Sequence, residues 1–474
     1  MANLTSGPVT RHLLKTTSFM LVTMVFQTLY FLVDLYWVGR LGTDAVAAVG
    51  IAGNLNFVVL ALTQMLGVGT TTLVSHAAGR GDHEHALLAF NQSQVLAMLT
   101  GLGVLVAGLA GRGVYAASMG ADARTAALAA DYLLWFVPAL ALQFGIVAMG
   151  AALRGMGNFR PGMIVGTTTV IVNTVLAPFL IFGWGTGHPL GVAGAALSTL
   201  IALAVGVAWL TTYFLPKDAP LRFVVADWRP RLDLWKRIVA IGLPAGVEFA
   251  LMAAYMMIVY VISRPFGAAA QAGFGIGQRV VQSGFMPVVA LGFSVAPVAG
   301  QNFGARLAGR VRETFRDAAW MAGGVMLAFA LLCKAAPAAL VGIFSHDAAT
   351  IAVGVEYLRI VSWNFVASGV VFVTSSMFQA MGNTVPSLAT SGLRLLLSAL
   401  PALALSRAPG FQLSWVWYLS VLSVWVQLGV ALLLLRREYR LRLAFPAAPS
   451  AEAASAGVAA PAHALAGAEA RSTA

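Results

Sequence analysis

The sequence predicts an all-α polytopic membrane protein with twelve transmembrane helices in two pseudo-symmetric six-helix lobes. Three observations point to it. Charged residues make up only 10% of the 474 residues, against roughly a quarter in an average soluble domain. Hydrophobic residues make up 59% and mean hydropathy is +0.84, more apolar surface than a soluble fold of this length can hide but suited to lipid. Finally, a shift of 225 residues lays the first half of the chain on the second at positions where residue type matters.

Apolar runs of about twenty residues place the spans in order. The first, 16–38, carries Gln27, Tyr30, Asp34 and Trp37 at helical spacing. It is not a cleaved signal: the run is too long, contains an acid, and no small-residue cleavage site follows a short core. The second, 46–75, contains Gln64. The third, 87–110, follows Asp82-His83-Glu84-His85, adjacent residues on a loop that do not converge on a metal ion. The fourth, 126–152, has Pro138 and runs into a tight Gly157-Asn158 turn. The fifth, 162–183, holds Asn173 and Pro178, and the sixth is 191–214. A polar connection follows. The seventh span, 237–262, places Glu248, Met252, Tyr255 and Val259 on one face. The eighth, 272–301, holds Gln278, Arg279, Gln282, Pro287 and Pro297. The ninth, 314–335, contains the single cysteine, Cys333, read as a small apolar residue; one cysteine allows no intramolecular disulfide or cysteine-based metal cluster. The tenth, 351–380, carries Trp363 and Asn364 and precedes a second tight turn, Gly382-Asn383; the eleventh, 386–406, carries Arg394; the twelfth is 414–435.

The repeat is gapless. Gly42 falls on Gly267, Gly50 on Gly275, Gly79 on Gly304, Asp122 on Asp347 and Tyr132 on Tyr357. Met156-Gly157-Asn158 falls on Met381-Gly382-Asn383, and Pro161 on Pro386. Six spans separate equivalent points, so the halves share one orientation and are related by an axis along the membrane normal. Such a pair encloses a cavity at the lobe interface, the usual arrangement in a transporter. The organisation expected is an N-terminal lobe (1–215), a linker (216–236), a C-terminal lobe (237–445) and a disordered Ala-, Pro- and Ser-rich tail (446–474).

Basic residues set the topology. With the N-terminus cytoplasmic, the inner segments hold Arg11, Lys15, Arg80, Arg154, Arg160, Lys217, Arg222, Arg229, Arg231, Lys236, Arg237, Arg306, Arg310, Arg312, Arg316, Arg436, Arg437, Arg440 and Arg442. The outer segments hold Arg40, Arg112, Arg124, Arg264, Lys334, Arg359 and Arg407. That bias puts both termini inside. The net charge of +12 therefore reflects topology and anionic lipid, not nucleic acid. No HExxH, no GxSxG and no paired acidic motif in a polar loop is present, so no catalytic residues, resident metal or cofactor are assigned.

Several segments resemble the multidrug and toxic compound extrusion (MATE) transporters of the MOP flippase superfamily. They are LYFLVDLYWVGRLGTDAVAAVG (29–50), LRGMGNFRPGM (153–163), GVAGAALST (191–199), GLPAGVEF (242–249), FGAAAQAGFGIGQRV (266–280) and GQNFGA (300–305). The resemblance extends from about residue 13 to 440. It implies a MATE-like fold and a secondary active antiporter, not an enzyme, that exports amphipathic organic cations in exchange for H⁺, or alternatively Na⁺, by alternating access. The alternative it leaves is a flippase or exporter of a lipid-linked or polar metabolite. The chain is expected to lie in a bacterial inner membrane and to act as a monomer. Asp34 matches the proton-accepting Asp of one branch, and Asn173 the Asn of its fifth helix, but the second Asp of that branch is replaced by Ala177. Glu248 is a neighbour of the cation-site Glu of another branch, about a turn nearer Gly242-Leu243-Pro244.

Ionisable groups within spans are few, and each costs about 3 kcal/mol at mid-membrane on insertion scales. Asp34 and Asn173 are the candidates for cation coupling. Gln27, Tyr30, Trp37, Gln64, Glu248, Met252, Tyr255, Arg279, Gln282, Trp363 and Asn364 are candidates for substrate binding. Protonation of Asp34 would remove the charge that holds a cation, so proton and substrate would compete for one carboxylate; the other reading of Asp34 is a helix anchor near the outer interface. An acid beside Met and Tyr suits a flat cationic ligand, but Glu248 could equally pair with Arg279 on the next helix. Arg394 is expected to meet a carbonyl or snorkel to an interface.

Overall fold

The computed structural model describes residues 3–185 and 187–445; the tail expected over 446–474 lies outside the described residues. Among the described residues fourteen α-helices run in the order α1 (Val9–Gly39), α2 (Thr43–Gly79), α3 (His83–Met119), α4 (Ala123–Gly155), α5 (Arg160–Phe182), α6 (Gly191–Thr212), α7 (Leu232–Ser263), α8 (Ala268–Gly304), α9 (Ala308–Ala335), α10 (Pro337–Gly342), α11 (Ala348–Val361), α12 (Phe365–Ala380), α13 (Val385–Leu405) and α14 (Ser414–Arg442). Twelve helical segments among them are long and apolar enough to cross a membrane, with α11 and α12 counting as one span. Helices satisfy their own backbone polar groups, as a bilayer demands. The internal prolines Pro138, Pro178, Pro287 and Pro297 leave their helices unbroken, as do Pro244 and Pro401. Two features depart from the expected spans. The tenth is interrupted by a 3₁₀ turn at Ser362–Asn364, and the short α10 precedes it.

The repeated residues turn out to be the punctuation of the fold. Gly42 and Gly267 precede α2 and α8 with φ of 108° and 87° and ψ near 175° in both, a conformation glycine adopts without strain. Asp122 and Asp347 cap α4 and α11, accepting the amides of Thr125 and Thr350 at 2.7 and 2.8 Å. The shared Met-Gly-Asn-x-x-Pro is a helix stop followed by a helix start. Gly157 and Gly382 have φ of 78° and 72°. Around each, the glycine and asparagine amides reach back to Arg154 and Leu153, and to Gln379 and Phe378, closing a Schellman cap. Pro161 and Pro386 then open α5 and α13, where a missing N–H costs nothing.

Packing follows the same symmetry. In the first half α1 lies on α5, α2 on α4, α3 on α4 and α5 on α6; in the second, α7 lies on α13, α8 on α11 and α12, α9 on α12, and α13 on α14. The halves meet where α1 packs on α8, α7 on α2, and α2 on α8. That last crossing is built on glycine. A Cβ on Gly79 would stand 2.0 Å from the Gln301 carbonyl oxygen, and one on Gly304 would stand 2.2 Å from that of His76. Residues 76 and 301 are themselves related by the repeat, so the pseudo-two-fold axis passes through this contact. Small residues allow such backbone approach in membranes.

The linker between halves is clamped rather than loose. Asn91 and Gln92 of α3 are fully buried. The Asn91 side chain donates to the Arg222 carbonyl and accepts from the Val224 amide and the Trp228 indole. Gln92 donates to the Arg229 carbonyl and accepts from the Arg231 amide.

Candidate substrate and coupling site

Asp34 lies one turn from Tyr30 along α1, on the same face. Both belong to a polar pocket built with three other spans of the first half, α4, α5 and α6. The Tyr30 hydroxyl is 2.9 Å from Thr199 Oγ1 of α6. Asn173 of α5 is buried and donates to Ser198 Oγ at 3.1 Å and to Thr199 Oγ1 at 3.2 Å. Tyr132 of α4 is buried within electrostatic reach of both Asp34 and Tyr30. Asp34 Oδ1 is shielded from solvent and has no hydrogen-bond partner among the described residues. A buried carboxylate oxygen without a partner is costly unless a proton or cation satisfies it. The next turn of α1 roofs the pocket. Trp37 packs edge-on against Phe182 and Trp184, and the Arg40 guanidinium lies about 6 Å over Trp37 and Phe182.

The second half carries two further polar groupings. Glu248, midway along α7, faces Ser387 and Ser391 of α13, while its Oε1 is buried without a partner among the described residues. Thr23 stands at the equivalent point of the first half and faces Gly166, the repeat mate of Ser391. Two turns further along α7, the Arg394 guanidinium carbon lies 5.8 Å from the Tyr255 ring centre. Tyr357 of α11 stands beside both and hydrogen-bonds Gln278 Oε1.

The sequence-nominated residues thus divide. Asp34, Tyr30, Trp37 and Asn173 converge on one pocket. Tyr255 and Glu248 line a second region along α7. Gln64 is half-buried on α2, and Gln27, Met252, Arg279 and Gln282 are exposed. Among the described residues no ion pair joins Glu248 to Arg279. The reason is packing: α7 lies on α2 and α13 and barely touches α8. Trp363 and Asn364 sit at the break between α11 and α12. There Trp363 stacks on the Lys334 ammonium at 3.8 Å, and Asn364 donates to Ser420 at 3.3 Å. Asp82 caps α3 through the His85 amide, a bond that holds its carboxyl below the usual carboxylate range. Sequence reasoning did not nominate Thr199, Ser198 or Tyr132 for the site, although the repeat had marked Tyr132 and the segment GVAGAALST ends on the other two.

The halves are held together at one end. At the face that carries the linker, Thr72 donates to the Gln379 carbonyl at 3.0 Å and His76 Nε2 lies 2.6 Å from that of Ala380. Gln301 donates to the Gly155 carbonyl at 2.8 Å. The N-terminal strap joins them: the buried Leu4 gives its amide to Gln301 and its carbonyl to Asn302 and Arg310. Towards the opposite face, a Cβ on Gly42, Gly50, Gly53 or Gly267 would meet nothing within 4 Å.

Comparison with known proteins agrees with this architecture. The MatE family model matches twice, over residues 20–179 and 244–403, once per half. The probable multidrug resistance protein YoeA of Bacillus subtilis (strain 168) is 26% identical over 432 residues, covering 89% of this chain and 91% of its own. The multidrug export protein MepA of Staphylococcus aureus (strain MRSA252) is 25% identical over 379 residues, covering 79% and 82%. Among solved structures, the outward-facing conformation of a multidrug resistance MATE family transporter superposes with a TM-score of 0.86 at 24% identity, over 94% of this chain and 98% of that one. A MOP superfamily transporter from Pyrococcus furiosus Vc1, described as having a binding pocket of reverse polarity, superposes with a TM-score of 0.85 at 24% identity over 94% and 98%. A membrane-spanning chain whose two halves each match the MatE model belongs to the MATE family of transporters.

Proposed function

We propose that this transporter is a multidrug exporter that exchanges amphipathic organic cations for protons, with Asp34 as the coupling carboxylate. The observation that carries the reading is the unpartnered, buried Oδ1 of Asp34 in a pocket otherwise satisfied by Tyr30, Asn173, Ser198 and Thr199. A protonated amine or quaternary cation is held there by charge and by the aromatic faces of Tyr30 and Trp37. A proton entering from the opposite face neutralises Asp34 and removes the counter-charge, so the cation leaves. Na⁺ could serve the same exchange, since the neighbouring oxygens are hard ligands.

The seal and the basic loops fit one orientation. Both termini and the linker are cytoplasmic in a bacterial inner membrane, and the structure then represents the outward-facing state. The lobes over 1–215 and 237–445 rock about the α2–α8 crossing, and the transporter works as a monomer. One elementary charge crossing 100 mV releases about 2.3 kcal/mol, enough to sustain a substantial dye gradient per proton. In drug-sensitive cells, the wild-type chain lowers ethidium accumulation and Asp34→Asn does not, at equal membrane abundance. Equal efflux in the mutant removes Asp34 from the mechanism. A second reading, export of a lipid-linked or polar metabolite, is favoured by Arg394, a basic group within a span of the second half. Thermal shift with lipid precursors against dyes separates the two.

A further inference from the structure

The repeat places two polar clusters in register and reveals opposite charge in them. Tyr30 and Tyr132 of the first half correspond to Tyr255 and Tyr357 of the second. Asp34 corresponds to Val259, and Thr169 to Arg394. The second half therefore keeps both tyrosines, loses the carboxylate and gains a guanidinium. Arg394 is half-buried midway along α13. Its guanidinium lies 5.8 Å from the Tyr255 ring centre and beside Tyr357. None of the four ion pairs among the described residues involves it. Glu248, the nearest acid along α7, faces Ser387 and Ser391 about a turn or more before Arg394 on α13. A guanidinium within a span, without a carboxylate, is a costly group. It offers five N–H donors in a planar fork that matches a carboxylate or phosphate.

We infer that the pocket formed by Arg394, Tyr255, Tyr357 and Gln278 is an anion subsite that takes the carboxylate of an amphipathic substrate. Its ring is gripped by Tyr255, and its acidic group by the Arg394 fork. This deepens the exporter reading and rests on it for the identity of the ligand as cargo. In a zwitterionic substrate the amine is then answered by the first half and the acid by the second.

The test uses two dyes that differ by one ester: rhodamine 123, a methyl ester and net cation, and rhodamine 110, its free carboxylate. Binding to the purified full chain in detergent is followed by fluorescence polarisation. Wild type binds both. Arg394→Gln weakens rhodamine 110 about tenfold, the worth of one charge-assisted contact, and leaves rhodamine 123 within about twofold. Arg394→Lys retains most of the preference. In the wild type, benzoate displaces rhodamine 110 and not rhodamine 123, a result that needs no variant to fold. Equal weakening of both dyes, no effect on either, or failure of the wild type to bind rhodamine 110 overturns the subsite. Displacement by dioleoylphosphatidylglycerol but not by benzoate assigns the site to a lipid phosphate and overturns the substrate carboxylate. Binding as described without transport of either dye in proteoliposomes sinks the exporter reading and leaves the anion subsite standing.

Discussion

Gly79→Ala is the smallest change that reaches the hinge of this account. The added Cβ would stand 2.0 Å from the Gln301 carbonyl oxygen, whereas ordinary contact begins at 3.4 Å. Helices α2 and α8 must therefore part by about 1.4 Å at the crossing. The seal has little slack. The Gln301–Gly155 and Thr72–Gln379 bonds measure 2.8 and 3.0 Å, and an extra ångström takes either beyond hydrogen-bonding range. Overpacking costs about 1–3 kcal/mol, and each lost bond about 0.5–1.5 kcal/mol. An equilibrium moves tenfold for about 1.4 kcal/mol, so the sealed state loses at least a tenfold preference. Double electron–electron resonance reads this out. Spin labels replace the exposed Thr43 and Ala268 at the ends of α2 and α8 away from the seal, in a Cys333→Ala background because the native thiol is the only one. Gly79→Ala should add a population with a shorter label distance. An unchanged distribution, with unchanged dye export, would refute the claim that this crossing holds the closed gate.

Other expectations follow from the same contacts. Gly304→Ala should reproduce the Gly79→Ala shift, and the double mutant should fall short of additivity because both side chains strain one crossing; additive shifts in the same resonance experiment would contradict the shared axis. Thr199→Val removes the hydroxyl that serves both Tyr30 and Asn173, so ethidium efflux should fall severalfold, while Thr211→Val, whose hydroxyl bonds its own helix at Val207 and reaches the Met149 thioether away from the site, should leave it near wild type. Glu248→Gln keeps a group that Ser387 and Ser391 can bond and should retain more than half of the efflux; loss equal to that of Asp34→Asn would move coupling to the second half. Asp122→Ala and Asp347→Ala remove equivalent caps and should lower the melting temperature by similar amounts in detergent, read by a thermal unfolding scan.

Much of this architecture was legible because a bilayer forces a simple code. Long apolar runs, basic loops and a duplicated Met-Gly-Asn-x-x-Pro are each dictated locally, by span length, charge placement and Schellman geometry. The break at Ser362–Asn364 was not, since no proline or glycine marks it. The linker clamp was hidden because Asn91 and Gln92 bond backbone more than 130 residues away. The Glu248–Arg279 alternative assumed that sequential helices touch. Here α7 and α8 belong to different seams of the bundle, and the acid meets α13 instead. Thr199 was overlooked because hydroxyls in apolar helices usually bond their own preceding turn, as this one also does at Ala195. Asp34 could be singled out from sequence, but its unpartnered oxygen and its tyrosine neighbours emerge only when four helices are assembled.

The most direct measurement is dye-coupled proton exchange in everted membrane vesicles, made without Na⁺ and acidified inside. With the wild-type chain, ethidium should enter the vesicles and its addition should release part of the proton gradient. With Asp34→Asn, present at the same level, neither should occur. Uptake and proton release unchanged by Asp34→Asn would contradict the central claim that this carboxylate couples export to the proton.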